Sequence, residues 1–167
     1  MVVFKINSIF MENSLFFLVF LFVLAGCQKE SILPETDSTP RIFAAISPVA
    51  GSLYEGIETT AIAPVSVLMI HGEQDNSVPY EGGYSHGYDF YTVEHTAQIW
   101  SNNNGCNEAP VLSTDIPGAE VYEYSGCDNN KDVILFSVPN SGHDVFSEFQ
   151  SIDMFNYVFD FFGNQTL

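Results

Sequence analysis

Three near-continuous apolar runs constrain this chain most: "IFAAISPVAG" from Ile42, "PVSVLMIHG" from Pro64, and "DVILFSV" from Asp132 to Val138. Short runs that are apolar at successive positions and rich in β-branched residues suit strands covered on both faces; a strand with one wet face would alternate. A fourth segment, "EVYEYSG" from Glu120, does alternate, and could pair antiparallel with the third run across the turn "CDNNKD". Between the second and third runs, Val93, Thr96, Ala97 and Trp100 recur at helical spacing, with Thr92 as cap and Glu94 in the first turn. Near the end, "SIDMFNYVFDFF" sets Ile152, Phe155, Phe159 and Phe162 on one helical face, with Ser151 as cap and Asp153 near the positive end of the dipole. Strands alternating with helices predict an α/β chain built on a short, mostly parallel sheet flanked by helices.

The amino terminus reads differently. Leu15 to Gly26 is apolar or small and too short to cross a bilayer as a permanent helix, which fits a signal-peptide core. Its end, "LAGC", resembles the lipobox of bacterial lipoproteins, in which the cysteine, here Cys27, is acylated and becomes the first mature residue. The polar segment "QKESILPETDSTP" follows, with two prolines and no apolar period, as in a tether. The expected organisation is therefore a signal peptide over 1–26, a tether over 27–40 and a folded domain over 41–167. The expected location is the bacterial cell envelope, lipid-anchored through Cys27. Gln28, where Asp would favour inner-membrane retention, points to the outer membrane or cell surface.

The formal net charge of −17 is unchanged by removing residues 1–26, because Lys5 and Glu12 leave together. Such a surface repels nucleic-acid phosphate and anionic lipid, which excludes a nucleic-acid role without identifying a substrate. With Cys27 assigned to lipid, Cys106 and Cys127 remain for a disulfide suited to an exported domain. Metal ligation is the alternative, although neither cysteine lies in a C-x-x-C pair and no H-E-x-x-H occurs. No metal or other cofactor is expected.

Reacting groups in open α/β sheets sit in loops just beyond the carboxyl ends of the strands. The second run leads into "MIHGEQDNSVPYEGG" and the third into "SVPNSGHDVF", placing Asp75 and His143 in two such loops. Asp before His is the order in which α/β-hydrolases supply the last two members of their triad. In that role Asp75 would hold the imidazole in one tautomer, and His143 would take and return the nucleophile's proton. A serine candidate exists in "GYSHG", whose G-x-S-x-G pattern makes Ser85 a possible nucleophile. Its context argues against it. The elbow needs a buried strand before and a helix after, whereas "DNSVPYEG" is polar and broken by Pro79.

Taken in order, "IFAAISPVAGS", "PVSVLMIHGEQDNSVPYEGG", the tryptophan and "NNGC" of "IWSNNNGC", "YEYSGC" and "VPNSGHDVF" resemble the secreted esterases grouped as polyhydroxybutyrate depolymerase-like and feruloyl esterase-like proteins. The resemblance covers roughly Arg41 to Phe162. It implies an α/β-hydrolase fold and ester hydrolysis through an acyl-serine, with polymer or cell-wall-linked esters as substrates. It also implies Asp75 and His143 as acid and base partners, a Cys106–Cys127 disulfide, and a structural role for His71.

By the same resemblance the chain corresponds to the carboxyl-terminal half of the fold. The nucleophile and oxyanion loop of full-length members precede the segment matching "RIFAAISPVAG". The expectation is a serine-esterase-type hydrolase by ancestry that lacks the nucleophile half and is inactive alone, binding an ester only if complemented. The strand from Ile42 would then offer an uncovered sheet edge for self-association. The competing expectation, from a different class, is a non-catalytic surface lipoprotein or truncated fragment with a binding role or none.

Overall fold

The computed structural model describes residues 43–57, 63–113 and 115–166. The expected signal peptide and tether, with Cys27, and the start of the first apolar run lie outside the described residues.

The central sheet has five strands: β1 (Ala45–Ile46), β2 (Ser66–Gly72), β5 (Val111–Ser113), β6 (Glu120–Tyr124) and β7 (Val133–Val138), in the order β1-β2-β7-β6-β5. All seven residues of β2 are buried, as its near-continuous apolar run indicates. Side-chain alternation then divides the core. Leu68, Ile70, Phe136 and Val138 face one side with Val121, whereas Val67, Met69, Val133 and Leu135 face the other with Tyr124. Each side is closed by a helix: α2 (Met154–Gly163) brings Met154 and Phe161 to the first, and α1 (Val93–Asn103) brings Val93 and Ala97 to the second. The described part is thus a three-layer α/β arrangement.

The sheet is mixed, not mostly parallel. β1 and β7 run parallel to β2, whereas β6 pairs antiparallel with β7 and β5 antiparallel with β6, so two of the four pairings are antiparallel. The connection 125–132 between β6 and β7 is too short for a crossover helix, so it can only turn back. Asn129 and Asn130 there adopt positive φ, which Asn tolerates better than most side chains.

Helix α1 starts as its sequence indicates, with the Thr92 hydroxyl accepting from the His95 N–H at 3.0 Å. At its other end the buried Asn104 amide bonds both the N–H and the carbonyl of Val65, at 3.1 and 2.6 Å, fixing the helix to the entry of β2. Trp100 packs against the adjoining core.

The last helix departs from expectation. Residues Glu148–Phe149 (β8) and Ile152–Asp153 (β9) form a small hairpin, so the cap is Asp153, not Ser151, and its carboxylate accepts from the Asn156 N–H at 3.0 Å. Met154 and Phe161 are buried, with Tyr157 and Val158 partly buried beside them; of the expected face, Ile152 and Phe162 pack against this core, whereas Phe155 and Phe159 are 47% and 43% exposed. Two apolar stripes overlap in this sequence, and tertiary packing against Phe136 selects the one containing Tyr157.

Candidate active site

The parallel pairing of β2 with β7 ends at Gly72 opposite Val138 and continues as loop-to-loop hydrogen bonds. Glu73 N–H donates to the Val138 carbonyl at 3.1 Å, and Gln74 N–H to the Ser141 carbonyl at 2.8 Å. Gly72 makes this approach feasible: a Cβ on it would lie 2.4 Å from the carbonyl oxygens of both Ser141 and Gly142. Lack of a side chain therefore lets the loop before His143 lie directly on the end of β2.

Asp75 is held in a tight turn, with its own N–H on the Gly72 carbonyl at 3.1 Å. Its Oδ1 accepts from the N–H groups of Ser77 and Val78, at 2.8 and 2.9 Å, as short acidic side chains do when they cap a turn. Its Oδ2 lies 2.9 Å from His143 Nδ1 and 3.3 Å from His71 Nε2. The Asp75 side chain is fully buried, whereas that of His143 is 42% exposed. Burying a carboxylate is costly without compensation, and these donors supply it.

His71 is fully buried on β2, and its Nε2 bonds the Val78 carbonyl at 2.9 Å. Because a carbonyl only accepts, the proton is on Nε2, and the same N–H faces Asp75. Burial lowers its pKa below the ordinary value of 6.5, against the opposing pull of the Val78 carbonyl and the Asp75 carboxylate. His71 is thus a neutral packed donor, in contact with the acid that sequence pattern alone did not connect to it. Beside it, Tyr80 packs edge-on and its hydroxyl bonds Ser137 of β7.

The arrangement can do one thing chemically. A buried carboxylate accepts from Nδ1 of a half-exposed imidazole, which leaves Nε2 to exchange a proton with a group on the solvent side.

Ser85 stands elsewhere in this geometry. Residues Gly83–Ser85 (β3) and Tyr88–Phe90 (β4) form an antiparallel hairpin whose two loop residues, His86 and Gly87, both have positive φ, as tight hairpins require. The G-x-S-x-G pattern here is strand–turn–strand, without the following helix of an elbow. The Ser85 hydroxyl bonds the Ser77 carbonyl at 2.8 Å and His86 Nδ1 at 2.8 Å. Among the described residues, no serine hydroxyl is hydrogen-bonded to His143.

Cys106 and Cys127 form a disulfide, joining the residues just after α1 to the β6–β7 turn. Among the described residues no group of three His, Cys, Asp or Glu side chains is placed to hold a metal ion, and no helix is long and apolar enough to cross a membrane.

Sequence reasoning missed Gly72, the backbone donors of Ser77 and Val78, and the His71 contact with Asp75. A glycine closing an otherwise apolar strand is a signal of close backbone approach, and it was available in "MIHGEQD".

No family model matches the chain. It is similar to feruloyl esterase B of Piromyces equi, at 27% identity over 124 residues, covering 71% of this chain and 22% of that protein. The chain therefore spans about a fifth of the length of this relative, and the likeness supports a distant esterase-like relationship.

Proposed function

We propose that this domain is the acid- and base-bearing part of a serine-esterase-type α/β-hydrolase, with Asp75 as the orienting carboxylate and His143 as the general base and acid. The observation that carries the reading is the 2.9 Å contact between a buried Asp75 Oδ2 and Nδ1 of a half-exposed His143, at the ends of two adjacent parallel strands. The distant likeness to an esterase supports the reaction class. In the reaction, Nε2 of His143 takes the proton of a serine hydroxyl as it attacks the ester carbonyl. It then gives that proton to the leaving alcohol, and Asp75 stabilises the imidazolium between the two steps.

The nucleophile comes from outside the described residues, and the domain alone turns over no ester by an acyl-serine route. Complemented, it acts on carboxyl esters attached to a polymer or cell wall. Acylation at Cys27 holds it at the outer face of the envelope. The absence of any described hydroxyl on His143 also favours the second reading, a surface lipoprotein that has kept the pair without catalysis.

Hydrolysis of a simple aryl ester by the full chain tests this. The expected result is no turnover that depends on Ser85 or His143. Strong turnover abolished by both Ser85→Ala and His143→Ala would make Ser85 the nucleophile and refute the proposal.

A further inference from the structure

The "GYSHG" segment has a use that needs no nucleophile. The Ser85 hydroxyl donates to the Ser77 carbonyl at 2.8 Å, so its lone pairs are left to face His86 Nδ1 at 2.8 Å. The Ser77 carbonyl and the Val78 N–H belong to one planar peptide unit. That same Val78 N–H donates to Asp75 Oδ1 at 2.9 Å, and the other oxygen of Asp75 meets His143 at 2.9 Å. The Val78 carbonyl, at the next peptide, accepts from His71 at 2.9 Å. A continuous chain of oriented bonds thus runs from Ser85 through one peptide plane to the carboxylate and on to the imidazole. Bonds linked in this way polarise one another.

The far end of the chain is anchored independently of Asp75. The hairpin base is closed by Gly82 N–H on the Pro79 carbonyl at 2.9 Å and by Val93 N–H on the Tyr80 carbonyl at 2.9 Å. Gly82 has φ +72°, and a Cβ there would meet the Phe90 carbonyl at 2.7 Å. On its outer side, β4 is bonded to the segment after β1, with Glu55 N–H on the Asp89 carbonyl at 2.8 Å and Tyr54 bridged to Phe90. Ser85 is therefore presented from a frame of its own.

We infer that Ser85 is a positioning residue for the Asp75–His143 pair, its hydroxyl fixing the Ser77–Val78 peptide that holds the carboxylate. This rests on the reading of Asp75 and His143 as a functional pair. It also accounts for the elbow-like pattern: Gly87 takes the positive φ of the hairpin turn, Gly83 opens β3 at φ +104°, and the serine between them bonds the acid loop.

The test is nuclear magnetic resonance of the full chain, labelled with nitrogen-15 and held in a mild detergent, at a pH where imidazole is neutral. Two quantities are read: the exchange rate of the Val78 amide, and the fraction of neutral His143 that carries its proton on Nδ1. Loss of one net hydrogen bond in Ser85→Ala speeds Val78 exchange by roughly five- to tenfold. It also moves part of His143 to the Nε2–H tautomer, Ser85→Thr restores both, and Asp75→Asn moves the tautomer fully. Wild-type values in Ser85→Ala, with Asp75→Asn still shifting the tautomer, overturn the positioning role and leave the pair intact. An unshifted tautomer in Asp75→Asn overturns both. Faster exchange in Ser85→Ala spread equally over the β2 and β7 amides would mean general loosening, and would also overturn the inference.

Discussion

Replacing Gly72 by Ala tests whether the close approach of β2 to the His143 loop organises the site. The added Cβ would sit 2.4 Å from two backbone oxygens, those of Ser141 and Gly142, where real Cβ contacts essentially never fall below 3.0 Å. Neither neighbour is a flexible side chain, so the loop must recede by roughly half an ångström or more. Receding stretches the 2.8 Å bond from Gln74 N–H to the Ser141 carbonyl, and weakens the 3.1 Å bond from Glu73 N–H to Val138. Overpacking of this kind costs about 1–3 kcal/mol, and each weakened hydrogen bond adds up to about 1 kcal/mol. We expect Gly72→Ala to destabilise the fold by about 2–4 kcal/mol, read as a lower urea midpoint in Trp100 fluorescence with the slope unchanged. The His143 Nδ1–H signal should weaken in the same variant under native conditions. A change below about 0.5 kcal/mol, the ordinary scatter of surface substitutions, would refute the close-packing account of this loop.

Three further outcomes follow from the same geometry. His71 resists protonation when folded, so between the ordinary value of 6.5 and its lowered folded pKa the unfolded chain binds more protons. Stability is therefore complete above that value and falls as pH drops through the window; urea midpoints against pH should decline more for wild type than for His71→Gln, and equal declines would refute it. Reducing the Cys106–Cys127 bond, which spans 21 residues, should destabilise the domain by about 3 kcal/mol, and an unchanged midpoint would contradict the constraint. β1 is an edge of the sheet, paired with β2 on one side and with no other described strand. Light scattering should show self-association of the full chain in detergent-free buffer, and a monodisperse monomer would contradict the open-edge expectation.

Much of this organisation is legible in the sequence where local pattern and burial coincide. The runs at β2 and β7 are near-continuously apolar because both sheet faces are covered, and their ends mark the loops carrying Asp75 and His143. Thr92 caps α1 because a side-chain hydroxyl next to a free N–H is a local event. Other features depend on partners distant in the chain. The exposed Phe155 and Phe159 form as regular a helical stripe as the packed residues beside them, and contact of Tyr157 with Phe136 decides between the two. Likewise "GYSHG" satisfies an elbow pattern letter by letter, yet its glycines serve a hairpin and its serine bonds a carbonyl eight residues back. The antiparallel pairing of β6 with β7 is legible in the alternation of "EVYEYSG" and the short turn "CDNNKD", whereas the pairing of β5 with β6, which makes the sheet evenly mixed, rests on a three-residue strand with no pattern of its own.

The claim that Asp75 and His143 form an acid–base pair whose nucleophile is not among the described residues is tested most directly by covalent labelling. The full chain is treated with a fluorophosphonate, which marks activated serines, and each serine is read by mass spectrometry. The account predicts no adduct on any serine between residues 43 and 166. An adduct on Ser85, or on any other serine in that range, that disappears in His143→Ala would contradict it.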